Sequence, residues 1–245
     1  MTTSGVQKGL VAFHRGEPLV QEGLGFGLPI VRLPAETLFS RTASLEERAG
    51  GAVVKRYGFD RAARVRIGDR NVESALLRRG FESLVGLYMR AQPLQPPLLR
   101  LQEALARSLG GSVTYVDVPS RGSAEVEYAL SGTSLRVMAR FRMARREAPR
   151  PKFVVANEQG ADHFGRAVVD GRTLEGEAIT GWLRATDATF HADGLGLAFS
   201  VRRPEGTSMF LGRERNEYLH WSGINLESAS PSFDYVIRLG GDRRG

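Results

Sequence analysis

The chain has 245 residues, a formal net charge of +7, no cysteine and 42% hydrophobic residues. That length allows one large all-β domain or two small ones, and the ordinary hydrophobic content argues against wholesale disorder. The lack of cysteine excludes disulfides and thiolate chemistry, and no apolar run approaches the roughly 18 residues that span a bilayer as a helix.

The positive charge invites a nucleic-acid reading, but its makeup weakens it. Lys8, Lys55 and Lys152 are the only lysines, and Arg and Glu alternate through much of the chain. An arginine-rich, solvated basic surface is therefore favoured over a nucleic-acid interface. The sharpest basic clusters are Arg140 to Arg150 and the tail Arg243-Arg244. The first twenty residues lack an apolar signal-peptide core, so a cytoplasmic location is the default and no membrane partner is expected.

In chain order, a strand is expected around Leu10–Phe13. Gly23 to Leu33 (GLGFGLPIVRL) resembles a phosphate loop only superficially. A dinucleotide loop opens a helix, whereas here Pro29, Ile30 and Val31 continue as a strand. Thr37–Ala43 and Ala52–Phe59 read as two strands of a hairpin about Gly50-Gly51, and Ala63–Ile67 as another strand. Residues 71–90 are ambiguous: Asn71 could cap a short helix ended by Gly80, and strand is favoured for Leu84–Met89. Pro97 suits a first helical turn, Leu98, Leu101, Leu105 and Leu109 share one stripe, and Gly110-Gly111 ends it. One clear helix is therefore expected near 97–109.

Val113–Val118 is a strand leading into Ala124–Met143, where the register is legible. Gly132-Thr133 suits a type II′ turn, because Gly supplies the positive φ of its first central position. Ser131 then faces Ser134, Leu130 faces Leu135, Tyr128 faces Val137, Val126 faces Ala139 and Glu125 faces Arg140. One side of the pair is apolar. The other carries Glu125, Glu127, Arg136, Met138 and Arg140, and a slip of one residue would turn the carboxylates toward the core. Arg145–Lys152 is a charged, Pro-bearing loop, read as a boundary or mobile tip.

Beyond it, Lys152–Ala156 is a strand. Asp170-Gly171 joins Arg166–Val169 to Thr173–Glu177. Asp193-Gly194 reads as a type I′ turn with Ala192 facing Leu195, Phe190 facing Leu197 and Ala188 facing Phe199. Ser208–Leu211, Glu217–Trp221 and Phe233–Leu239 complete the strands. The sum is a mainly β chain, a single large antiparallel β-sandwich over residues 1–245 with one helix.

Two polar stretches stand out. Asn157–His163 (NEQGADH) offers Glu158 or Asp162 with His163 as an acid–base pair after an apolar strand. Arg213–Trp221 (RERNEYLHW) offers Arg213, Glu217, His220 and Trp221 as ligand-binding groups. Aromatic rings stack on the apolar face of a sugar, and charged forks bind its hydroxyls. The two stretches are expected to border one cleft. The four histidines are scattered without metal-ligand spacing, so no metal site is expected, and no residue pattern implies a cofactor. No nucleophile elbow occurs. The sequence therefore leaves enzyme and non-enzyme readings side by side. The leading expectation is a carbohydrate-binding or carbohydrate-processing β-sandwich with a small-molecule or sugar ligand. A non-catalytic structural or interaction domain comes second, and nucleic-acid binding through an Arg-rich face third. Oligomeric state is not encoded in any motif.

Overall fold

The computed structural model describes residues 13–14, 17–18, 26–33, 36–41, 43–48, 50–67, 70–71, 111–144, 151–160, 164–175, 181–192, 197–215 and 220–241. The first strands are β1 (Phe13–His14), β2 (Glu17–Pro18), β3 (Leu28–Arg32), β4 (Glu36–Phe39), β5 (Ala43–Glu47), β6 (Val53–Gly58), β7 (Arg61–Ile67) and β8 (Arg70–Asn71). The middle of the chain adds β9 (Gly111–Asp117), β10 (Gly122–Ser131), β11 (Ser134–Met143), β12 (Lys152–Gly160), β13 (Phe164–Val169) and β14 (Arg172–Glu175). The last are β15 (Gly181–Ala185), β16 (Asp187–Ala192), β17 (Leu197–Arg202), β18 (Thr207–Arg215), β19 (His220–Ser228) and β20 (Ser232–Gly241). No helix occurs among the described residues. The helix expected over 97–109 and the ambiguous stretch after Asn71 lie outside them, as do residues 145–150 of the expected boundary loop.

Apart from the β1–β2 pair, the strands form two antiparallel sheets. The first runs β14-β13-β16-β17-β20-β11-β10-β6-β5, and the second β15-β18-β19-β12-β3-β4-β7-β8 with β9 also on β7. The chain is a large antiparallel β-sandwich, as its alternation and frequent turns imply. Between the sheets lies one core that includes Val31, Leu38, Val126, Val137, Phe190, Met209, Leu211, Ile224 and Ile237. Phe141 sits among Phe59, Phe153 and Phe233, with ring centroids 5.0–6.3 Å away.

Strand β10 pairs with β11 in the register read from the sequence, with Ser131 opposite Ser134 and Glu125 opposite Arg140. Gly132 has φ +57°, the value its turn requires. Leu130, expected in the core, is instead exposed, because β6 begins at Val53, opposite Tyr128, and leaves the hairpin tip without that neighbour.

Three other expectations are corrected. Thr37–Ala43 is not one strand. Residues through Phe39 belong to β4 of the second sheet, and β5 begins at Ala43 in the first, so the hairpin about Gly50-Gly51 is β5–β6. Leu38 and Phe39 are buried where the chain leaves the second sheet. The pairing about Asp193-Gly194 is displaced by two residues, with Ala192 opposite Leu197, Phe190 opposite Phe199 and Ala188 opposite Val201. A slip of two keeps every side chain on its face, and it stacks Phe190 on Phe199 at 4.9 Å and 5°. The strand expected to end at Trp221 is described from His220 and continues to Ser228, while residues 217–219 lie outside the described residues.

The chain passes repeatedly between the sheets, and side chains fasten the crossings. Asp170, at φ +48°, accepts hydrogen bonds from the backbone N–H groups of Thr186 (2.9 Å) and Asp187 (2.8 Å), tying the β13–β14 turn to the start of β16. Asp60 accepts one from Arg41 N–H at 3.0 Å.

Candidate functional site

Strands β12, β18 and β19 are neighbours, and their polar ends meet. Antiparallel pairing puts Gly160 and Glu214 opposite Trp221. The described parts of the NEQGADH and RERNEYLHW stretches therefore share one end of the second sheet. Among the sequence candidates, Glu158, Arg213, His220 and Trp221 lie on these strands. Asp162, His163 and Glu217 lie outside the described residues.

Residues directly opposite one another in a sheet share a face, and faces alternate along each strand. Leu183, Leu211, Ile224 and Asn157 form one cross-strand row, and it faces the core. The adjacent row is Trp182, Gly212, Gly223 and Glu158, so these positions belong to the opposite, outer face. The row of Glu214, Trp221 and Gly160 has the same outer parity. Arg213 pairs with Ser222 and Gly181, Arg215 pairs with His220, and these positions have the core-side parity at the mouth between the sheets. The register thus brings these positions to one end of the sheet while dividing them by parity: 158 and 221 on the outer-face rows, 213 and 220 on the core-side rows.

The outer face is itself buried near its centre. Val154 and Ala156 have no exposure, and Asn225 (2%) and Glu227 (8%) little more, while Gly212 and Gly223 are also buried. A strand buried on both faces loses the polar/apolar alternation that advertises it. This explains why β19 was missed beyond Trp221. Glu227 is paired with Arg32 and, at 3.7 Å, with Lys152. Asn225 has a different status. Its Oδ1 is the one buried side-chain oxygen, among the described residues, with no hydrogen-bond partner. Such an orphan costs about 1–3 kcal/mol, so it marks a place where something is wanted. Neither Trp182 nor Asn225 stands out in the sequence. The only available signal was that Trp182 and Trp221 are the chain's two tryptophans.

On the core side, Asn157 is buried and fully engaged. Its Oδ1 accepts hydrogen bonds from Gly27 N–H (3.0 Å) and from the Tyr235 hydroxyl (2.6 Å), and its Nδ2 donates to the Ile224 carbonyl (3.3 Å). The Tyr128 hydroxyl lies 3.0 Å from the Phe26 carbonyl and 3.1 Å from that of Gly27. This network ties the segment before β3 to both sheets, so Asn157 is a structural member of its polar stretch. Burial pushes the Tyr57 phenol up to about 12, and raises Tyr235 further still, against the lowering effect of its bond to Asn157. Both hydroxyls stay protonated in the native state while the unfolded chain ionises near pH 10. The unfolded state then holds fewer protons, so stability is full below pH 10 and falls as pH rises above it, by up to about 1.4 kcal/mol per pH unit per tyrosine. Urea unfolding midpoints measured from pH 8 to 11.5 should be flat to about pH 10 and then drop. A flat profile throughout would mean these phenols ionise in the native state as readily as in the unfolded chain.

The outer face of the first sheet carries charge of alternating sign. Glu46 pairs with Arg56, and Arg56 with Glu125 at 3.2 Å. Arg140 lies 3.3 Å from Glu125 and 3.9 Å from Glu127. Arg136 bonds Asp234 at 2.8 Å. Arg140, first residue of the longer basic cluster, is therefore committed to carboxylates, as is usual for a solvated sheet face. Among the described residues no group of three or more His, Asp or Glu could hold a metal ion, and no helix is long and apolar enough to cross a membrane. No protein-family model, no curated protein and no solved structure matches this chain.

Proposed function

We propose that the protein binds a carbohydrate on the outer face of the second sheet, where β12, β15, β18 and β19 end. One observation carries the reading. Trp182, Trp221, Glu158 and Glu214 occupy adjacent positions of one face around Gly160, Gly212 and Gly223. Tryptophan rings stack on the apolar face of a pyranose, and carboxylates accept hydrogen bonds from its hydroxyls. Arg213 and His220, one residue away on the same strands, flank this end. Glu158, followed closely in the chain by Asp162 and His163, is the proposed acid–base group, though binding does not require it.

Because the chain has two tryptophans and both occupy this face, intrinsic fluorescence reports on the site directly. Titration with a panel of neutral mono- and oligosaccharides should shift tryptophan emission. It should also raise the melting temperature, by mass action on the native state. Silence from the whole panel in both measurements overturns the proposal. Oligonucleotide binding that weakens steeply with salt would favour the nucleic-acid reading instead.

A further inference from the structure

The outer faces of the two sheets differ. On the first, the outer positions of β10, β11 and β20 carry Glu125, Arg136, Arg140, Asp234 and exposed Val236. Val54, buried on that face, lies opposite Glu127 and Glu46 and is spanned by Arg48, which pairs with both. On the second sheet, Leu28, Ala156 and Asn225 form one cross-strand row, with Val154 two positions along β12. Val154 and Ala156 have no exposure, Asn225 2% and Leu28 7%. An antiparallel sheet face turned to water leaves its side chains solvated, so this row needs a cover. The first sheet lies on the other side, across the core, and β1 and β2 are two residues each. No other described strand is left to supply it.

The chain itself holds a suitable segment. Residues 72–110 leave the second sheet at β8 and return to it at β9, and both strands pair with β7. The segment includes Leu98, Leu101, Leu105 and Leu109, an apolar stripe at helical spacing. Such a stripe needs an apolar surface. The space between the sheets is occupied by the core, and the outer face of the first sheet is ion-paired charge. The outer face of the second sheet is what remains. We infer that residues 72–110 form a third layer over that face, packed through the leucine stripe onto Leu28, Val154 and Ala156. The span is within reach. A helix over 97–109 is about 20 Å long, and β12 lies about 14 Å to the side of β7, across β4 and β3. This inference is independent of the carbohydrate reading, whose positions lie at the strand ends around Trp221.

The chain has no cysteine, so a single introduced thiol reports on burial without interference. Ala156→Cys places one under the inferred layer, and Ala139→Cys places one, equally buried, between the sheets. Each is read by its rate of reaction with an aromatic disulfide reagent under native conditions, alone and combined with Leu101→Glu plus Leu105→Glu. Alone, both thiols should be protected. The stripe substitutions should speed reaction at position 156 by about tenfold or more and leave position 139 protected, because the layer lifts while the sandwich stays closed. Leu101→Ala plus Leu105→Ala, a milder pair, should act in the same direction. A thiol at position 156 that reacts freely in the otherwise unaltered chain, or stays protected in both stripe variants, overturns the inference. Equal loss of protection at both positions in both variants overturns it too, since the stripe would then belong to the core between the sheets. Leu10→Glu plus Val11→Glu should leave position 156 protected. Release of that thiol by this pair would assign the cover to the N-terminal residues instead.

Discussion

Replacing Gly27 by alanine is expected to destabilise the protein by about 2–5 kcal/mol, from two separable causes. Gly27 has φ +80°, where a side chain costs about 1–2 kcal/mol. An added Cβ would also lie 2.7 Å from the Tyr128 hydroxyl and 2.8 Å from its Cε1. Tyr128 is fully buried and hydrogen-bonded to the Phe26 and Gly27 carbonyls, so its ring has no cheap way to yield. Gly50 supplies the control. Its φ is +84° and a Cβ there meets nothing within 4 Å, so Gly50→Ala carries the backbone cost alone. Urea unfolding of the two variants should therefore differ by about 1–3 kcal/mol, the overpacking component. Equal losses would show that Tyr128 can move aside and that the network around Gly27 is soft.

The second large effect belongs to Asn157. Its replacement by alanine strands a buried backbone N–H at Gly27 and a buried hydroxyl at Tyr235, and about 3–5 kcal/mol should be lost. Tyr235→Phe is milder, about 1–1.5 kcal/mol, because the Asn157 carbonyl keeps Gly27 N–H as a donor. The two changes remove one shared bond, so the double variant should be more stable than the sum of the single losses predicts, by about 1 kcal/mol. Simple additivity in urea unfolding would dissolve the idea that the pair works as a unit. Asn157 also stands two positions before Gln159 on the same face of β12, at the mouth where Arg213 and His220 are placed. Sugar-induced stabilisation should nonetheless persist in Tyr235→Phe, since the proposed ligand lies on the other face of the sheet.

The hairpins were legible because their information is local. Gly132 and the alternation from Val126 to Ala139 set the β10–β11 register within a few residues of the turn, and the Glu125–Arg140 pair follows from it. The β16–β17 register was less so. Asp193-Gly194 marks a turn, but a two-residue slip leaves the apolar face intact, so patterning cannot distinguish the two pairings. The ring stacking of Phe190 on Phe199, together with the pairing of β17 to β20, accompanies the observed choice. Strand β19 was hidden for another reason. Ser222 to Ser228 alternates small and polar residues with Ile224 and Leu226 on one side, while Asn225 and Glu227 are buried on the other.

The sequence by itself determined the architecture: antiparallel strands, their turns, the inward face of each hairpin, and the identity of the two polar stretches. Only the tertiary structure decided which sheet each strand joins. It also decided that β12, β18 and β19 lie side by side, so that Glu158 and Trp221 share an outer face with Trp182 while Arg213 and His220 take the other parity. The physical reason is range. A turn is written in a few adjacent residues, whereas pairing Gly160 with Trp221 closes a long loop whose entropic cost is repaid only when the whole sheet assembles. The orphan carbonyl of Asn225 is of the same kind, since nothing in an Asn residue's neighbours along the chain tells whether its partner is present.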